Sequence, residues 1–277
     1  MIKRRRPSTR GFVLITVLWV GLGLLLAVSV FLSSSRQDAL SIRAEIATVR
    51  ALELARSGLN VALADLGRIN ENQHRTARDG TPVVLRMAEG QVTYRIIDEG
   101  GKINILQAPQ ELLSASLVEI GNAAGIDGFQ AVNFAESLSN FTEGPDGNLR
   151  SVYSTLTAAG LGSATALNAS RYLTTLSFSS TINPRTASPT VLEAVPGIGP
   201  SDINEIIARR EAGRTMPPLG TATAWFAERE GPVYTIEANA VLTMGGQVAL
   251  RVQVAQKGVS FRGGLMRYEV LSYQIIR

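Results

Sequence analysis

Two residue types that build reactive sites are scarce in this 277-residue chain. There is no cysteine, which excludes disulfides and thiolate chemistry and leaves the fold to be held by packing alone. There is one histidine, His74, in the polar stretch Asn70-Glu71-Asn72-Gln73-His74-Arg75. A histidine metal cluster or a Ser-His-Asp triad would have to be built around that one ring, and a solvated loop histidine is the plainer reading. No proline lies between Pro7 and Pro82, so nothing of that kind interrupts a helix there. The first eleven residues hold no acid but five bases, Lys3, Arg4, Arg5, Arg6 and Arg10. The rest of the chain carries 22 basic and 23 acidic side chains. The net charge of +4 is therefore an N-terminal address, not a basic surface for nucleic acid.

After the basic cluster comes a run of 21 uncharged residues, 12–32. As a helix it spans about 30 Å, the thickness of a bilayer core. With the bases before it and only Arg36 soon after, the positive-inside rule puts Met1 in the cytoplasm and the bulk of the chain outside. A cleaved signal peptide, with Ser33-Ser34-Ser35 at the cut, and a plain signal anchor are competing readings. The helix is expected to continue to Leu66, about 80 Å in all. Residues 36–66 alternate charge with apolar positions: Leu40, Ile42, Ile46, Val49, Leu52, Leu54, Leu59, Val61, Leu63 and Leu66. That stripe needs a partner surface, and Arg50, Glu53 and Arg56 are spaced to pair on one face.

The remainder reads as strands split by helices. Residues 91–97, 233–242, 247–255 and 268–276 are rich in β-formers and bounded by glycines. Between them, 110–120, 130–141, 151–159, 190–195 and 201–210 have helical character. The expected fold is α+β. A long N-terminal helix packs on a small antiparallel sheet, and an all-helical domain is inserted between the first strand and its partners. The expected divisions are 1–11, 12–35, 36–78, a head made of 79–105 with 216–277, and an insert at 106–215.

Val195-Pro196-Gly197-Ile198-Gly199-Pro200-Ser201, flanked by helical runs, looks like a helix-hairpin-helix of the SAM-like kind. Gly197 and Gly199 permit the tight hairpin, Ile198 plugs the core, and Pro200 opens the second helix. Such hairpins can present backbone N–H groups to phosphate. Here residues 181–215 hold four arginines and four acids, with Asp202 and Glu205 where a phosphate would dock. Nucleic acid is therefore not the expected partner.

The junction Thr9-Arg10-Gly11-Phe12-Val13-Leu14 resembles a type IV prepilin leader. That resemblance implies cleavage between Gly11 and Phe12 by a prepilin peptidase, with methylation of the Phe12 amine. Most pilins carry a glutamate at mature position five, which is Thr16 here. A membrane carboxylate is costly unless paired, and in the family it pairs with the amine of a neighbouring subunit. The K-type minor pseudopilins of type II secretion resemble this chain in lacking it, which fits a filament tip. Asp98-Glu99-Gly100-Gly101-Lys102-Ile103-Asn104-Ile105 is similar to the strand-to-insert junction of that family, with Leu106 where a second asparagine is usual. Ile182-Asn183-Pro184-Arg185-Thr186-Ala187 is similar to its return segment, with Arg185 in place of an asparagine.

The resemblance implies a single-pass inner-membrane protein with a periplasmic head and no catalysis of its own. Its implied partners are the I- and J-type minor pseudopilins, then the H type and the major pseudopilin, with a role in starting pseudopilus assembly for protein export. No cofactor is implied. Some relatives bind calcium, and Glu143, Asp146 and Asn148 are the candidate ligands; calcium takes six to eight oxygens, and a solvated turn is the simpler reading. A membrane-anchored helix-hairpin-helix DNA receptor of a competence-like system is the alternative. It explains the hairpin but not the leader.

Overall fold

The computed structural model describes residues 10–67, 76–126, 152–158, 160–259 and 266–276. Helix α1 (Arg10–Leu66) is continuous over 57 residues, about 85 Å. Its lower half, from Leu14 to Leu32, exposes its apolar side chains and is long and apolar enough to cross a membrane. Its upper half lies on a five-stranded antiparallel sheet: β1 (Val83–Met87), β2 (Gly90–Asp98), β5 (Val233–Leu242), β6 (Gln247–Val259) and β7 (Met266–Ile276), in the order β1-β2-β5-β6-β7.

Alternation sets the face that α1 covers. Val92, Tyr94 and Ile96 of β2 meet Ala240, Ala238 and Ile236 of β5, and these meet Val248, Leu250 and Val252 of β6. All are buried and point to one face, as period-two strands require. From the helix, Ala51, Leu54, Ala55, Leu59, Ala62 and Leu66 close over them at three- and four-residue spacing. Only part of the expected apolar stripe faces the sheet. Alanines and Gly58 replace several of its large residues at the contact, while Leu40, Ile42, Ile46, Val49 and Val61 remain exposed. The close approach explains this. A Cβ on Gly58 would lie 2.2 Å from Val92 Cγ1.

Between β2 and β5 the chain makes a second core. Its elements are β3 (Ile103–Asn104), α2 (Gln110–Ala123), α3 (Val152–Ala158), α4 (Ser163–Ala169), β4 (Leu173–Thr174), α5 (Pro189–Glu193) and α6 (Pro200–Glu211). Leu112, Leu117, Ile120, Leu156, Leu192 and Ile206 are among its buried residues. The β3–β4 pair is parallel and two residues long. Neither this pair, nor β1, nor α4 is among the elements expected from sequence. A two-residue strand has no alternation to read, and Ser163–Ala169 has too few large apolar residues to show a period. The helix expected at 130–141 lies outside the described residues.

Candidate functional site

β2 ends at Asp98, and there the chain leaves the sheet through a 3-10 turn, Glu99–Gly101. Asp98 is fully buried. Its Oδ1 accepts from the amides of Gly100 (2.8 Å) and Gly231 (3.0 Å), and its Oδ2 from Asn183 Nδ2 (3.1 Å) and Thr186 Oγ1 (2.9 Å). One carboxylate thus ties the exit from the sheet, the return segment and the start of β5. Burial raises its carboxyl above the usual aspartate range, against the pull of those four donors. Beside it, Glu99 pairs with Lys102 at 2.7 Å and accepts from Thr235 Oγ1 at 2.6 Å, with both charged groups buried. Asn183 completes the clasp. Its amide N–H donates to the Gly100 carbonyl at 2.7 Å, and its Oδ1 accepts from the Arg185 N–H at 3.1 Å.

The two glycines are required by distance. A Cβ at Gly101 would lie 2.6–2.8 Å from Thr186 atoms, and one at Gly100 would lie 2.9 Å from the Gly231 nitrogen. The two stretches singled out in the sequence, 98–105 and 182–187, are therefore in direct contact. The third member, Glu230-Gly231-Pro232, carries no motif and is not among the expected site residues; a glycine-proline pair immediately before a strand is the one signal it offers.

The hairpin residues Pro196, Gly197, Ile198, Gly199 and Pro200 join α5 to α6 as a tight turn. Gly197 has φ +84°, and a Cβ there would lie 3.4 Å from Thr221 Oγ1. Ile203 and Ile206 are buried beneath the turn. The end that could meet a phosphate is already capped: the Gly199 N–H donates to Asp202 Oδ2 at 2.9 Å. Three of the four nearby arginines are also engaged. Arg185 pairs with Glu228, Arg209 pairs with Glu205, and Arg210 donates to the carbonyls of Arg185 and Ala187. The hairpin packs and caps within the chain and offers little to an anion.

Gly11 and Phe12 lie in the first turns of α1, and Thr16 stands one turn further on, exposed within the apolar segment. His74, Glu143, Asp146 and Asn148 lie outside the described residues. Among the described residues, no group of three or more His, Asp or Glu is placed to hold a metal ion. A cleft of about 500 Å³ opens beside the Asp98 junction, lined in part by Gly100, Phe178, Arg229, Glu230 and Pro232. Its carboxylate, Glu230, is taken by Arg78 and the Tyr234 hydroxyl.

No family model and no curated protein sequence matches the chain. Among solved structures, it is similar to a chain of the crystal structure of the GspK-GspI-GspJ complex from the type 2 secretion system of enterotoxigenic Escherichia coli. The identity is 14%, the TM-score is 0.52, and the match covers 86% of this chain and 99% of that one. At that identity the likeness establishes a shared fold.

Proposed function

We propose that this chain is the K-type minor pseudopilin of a type II protein secretion system. One observation carries the reading. The fold is similar to that of a chain from a GspK-GspI-GspJ complex over 86% of this chain and 99% of that one.

In this reading a prepilin peptidase cuts between Gly11 and Phe12 on the cytoplasmic side, and the new Phe12 amine is methylated. The apolar half of α1 anchors the protein in the inner membrane with its head in the periplasm. Thr16 leaves no membrane carboxylate to hold a preceding neighbour's amine, so the subunit sits at the filament tip and starts assembly with the I- and J-type subunits. The head works by docking, not by catalysis. The insert is held rigidly to the sheet by the Asp98 clasp, which suits a surface that must present a fixed shape to partners. The hairpin acts as a structural element facing protein.

The test is co-expression of this chain with the I- and J-type subunits of the same system, followed by sedimentation of the purified material. The reading predicts a stable complex of all three, and its failure to form would overturn the partner assignment.

A further inference from the structure

Helix α1 has two apolar faces. The inner one is covered by the sheet. The outer one, turned away from the sheet, carries Ala39, Ile42, Ile46 and Val49 in the alternating three- and four-residue steps of a coiled-coil seam. Ile42, Ile46 and Val49 are 55%, 48% and 59% exposed. Continued downward, the same steps pass through Ser35, Leu32, Val28, Leu25 and Gly21, where nothing lies within 4 Å of a Cβ built on the glycine.

Charges flank this seam in a regular way. Arg36, Arg43 and Arg50 repeat every seven residues on one side, and Asp38 and Glu45 repeat every seven on the other. Neither acid has a base three or four residues away on its own helix, and among the described residues none of these five side chains is in an ion pair. Each acid does have a base five residues further on: Asp38 with Arg43, and Glu45 with Arg50. Five residues is the offset at which the flanks of two parallel coiled-coil helices meet across the seam. Two copies threading a membrane in one orientation are parallel, and they would form four such pairs.

We infer that the outer face of α1 between Leu32 and Val49 is a docking surface for a second copy of this chain, forming a parallel two-helix contact above the membrane. The commitment to a second copy rests on charge: the acidic flank and the basic flank of one helix are complementary to those of its own duplicate in register. The membrane anchor raises the effective concentration of the short seam, which would be marginal in water. This goes beyond the pseudopilus reading and rests on one part of it, the membrane anchor, and not on the filament position or the partners.

The native chain has no cysteine, so single cysteines can be placed at will. The purified full-length chain carrying Ile42→Cys or Val49→Cys is reconstituted in phospholipid vesicles and oxidised. Covalent dimer is expected at about fivefold the yield of Ser41→Cys or Thr48→Cys, which lie off the seam. In the Val49→Cys background, Arg43→Glu with Arg50→Glu lowers the yield roughly tenfold, because like charges then face each other. Mixing that chain with one carrying Asp38→Lys and Glu45→Lys restores the dimer, since oppositely charged flanks again face each other. Equal yields on and off the seam, no dimer at either seam position, or no rescue on mixing would overturn the inference. Dimer only with a different pilin-like protein would overturn it as well.

Discussion

Asn183 donates to the Asp98 carboxylate at 3.1 Å although the two residues are 85 apart in sequence. The same carboxylate also accepts from Gly100, Gly231 and Thr186. Removing it strands four buried donors. Asp98→Ala is expected to cost on the order of 3 kcal/mol at neutral pH in urea unfolding, and to open the 98–105 and 182–187 segments to limited proteolysis. Thr186→Val should cost about 1 kcal/mol, and the double variant less than the sum, because both act on one network. Strict additivity would contradict a shared clasp.

Burial makes the clasp sensitive to pH. The folded state holds the Asp98 proton more tightly than the unfolded chain, because burial raises its carboxyl above the ordinary value of 3.8. Its favourable contribution is full below that value and fades as pH rises through the raised folded value. The stability gap between the native chain and Asp98→Ala is therefore widest in acid and narrows towards neutral pH. A gap that widens with pH would mean that the four donors outweigh desolvation.

Gly58 is a matter of space. Alanine is the better helix former by about 1 kcal/mol. Yet a Cβ there would meet Val92 Cγ1 at 2.2 Å, so Gly58→Ala is expected to destabilise by about 1–3 kcal/mol. Adding Val92→Ala should recover part of that loss, measured as thermal midpoints of the three variants.

At the hairpin, Asp202 caps the Gly199 amide, and Asp202→Ala is expected to cost about 1 kcal/mol. A mobility-shift titration of the native chain at low salt should show no retardation of DNA at micromolar protein. Retardation that weakens with added salt would favour a DNA receptor over a pseudopilin.

The sequence shows much of the outline and little of the joinery. The long helix is readable because no proline lies between Pro7 and Pro82 and because its charges begin at Arg36. β2, β5 and β6 are readable from β-formers between glycines, although β6 runs on to Val259 and β7 begins at Met266. The packing face of α1 is only partly the one its large apolar residues suggest: Leu54, Leu59 and Leu66 face the sheet. Those at 40–49 mark exposure, while small residues, Ala51, Ala55 and Gly58, mark the contact. The two junction motifs stand out by resemblance. That they meet through one aspartate cannot be read, since contact across 85 residues leaves no local pattern. The hairpin is legible because glycine with positive φ between two short helices has a fixed spacing. Asp202 stands out in the sequence as an obstacle to phosphate, and its bond to Gly199 gives that obstacle a structural role.

The account turns on membership of the pilin class, and the most direct test is the intact mass of the mature protein from cells with and without the prepilin peptidase. It predicts loss of residues 1–11 and one added methyl on Phe12, both dependent on that peptidase. An uncleaved chain, or a cut after the serines near Ser35, would contradict it and leave an anchored or secreted helix-hairpin-helix protein in its place.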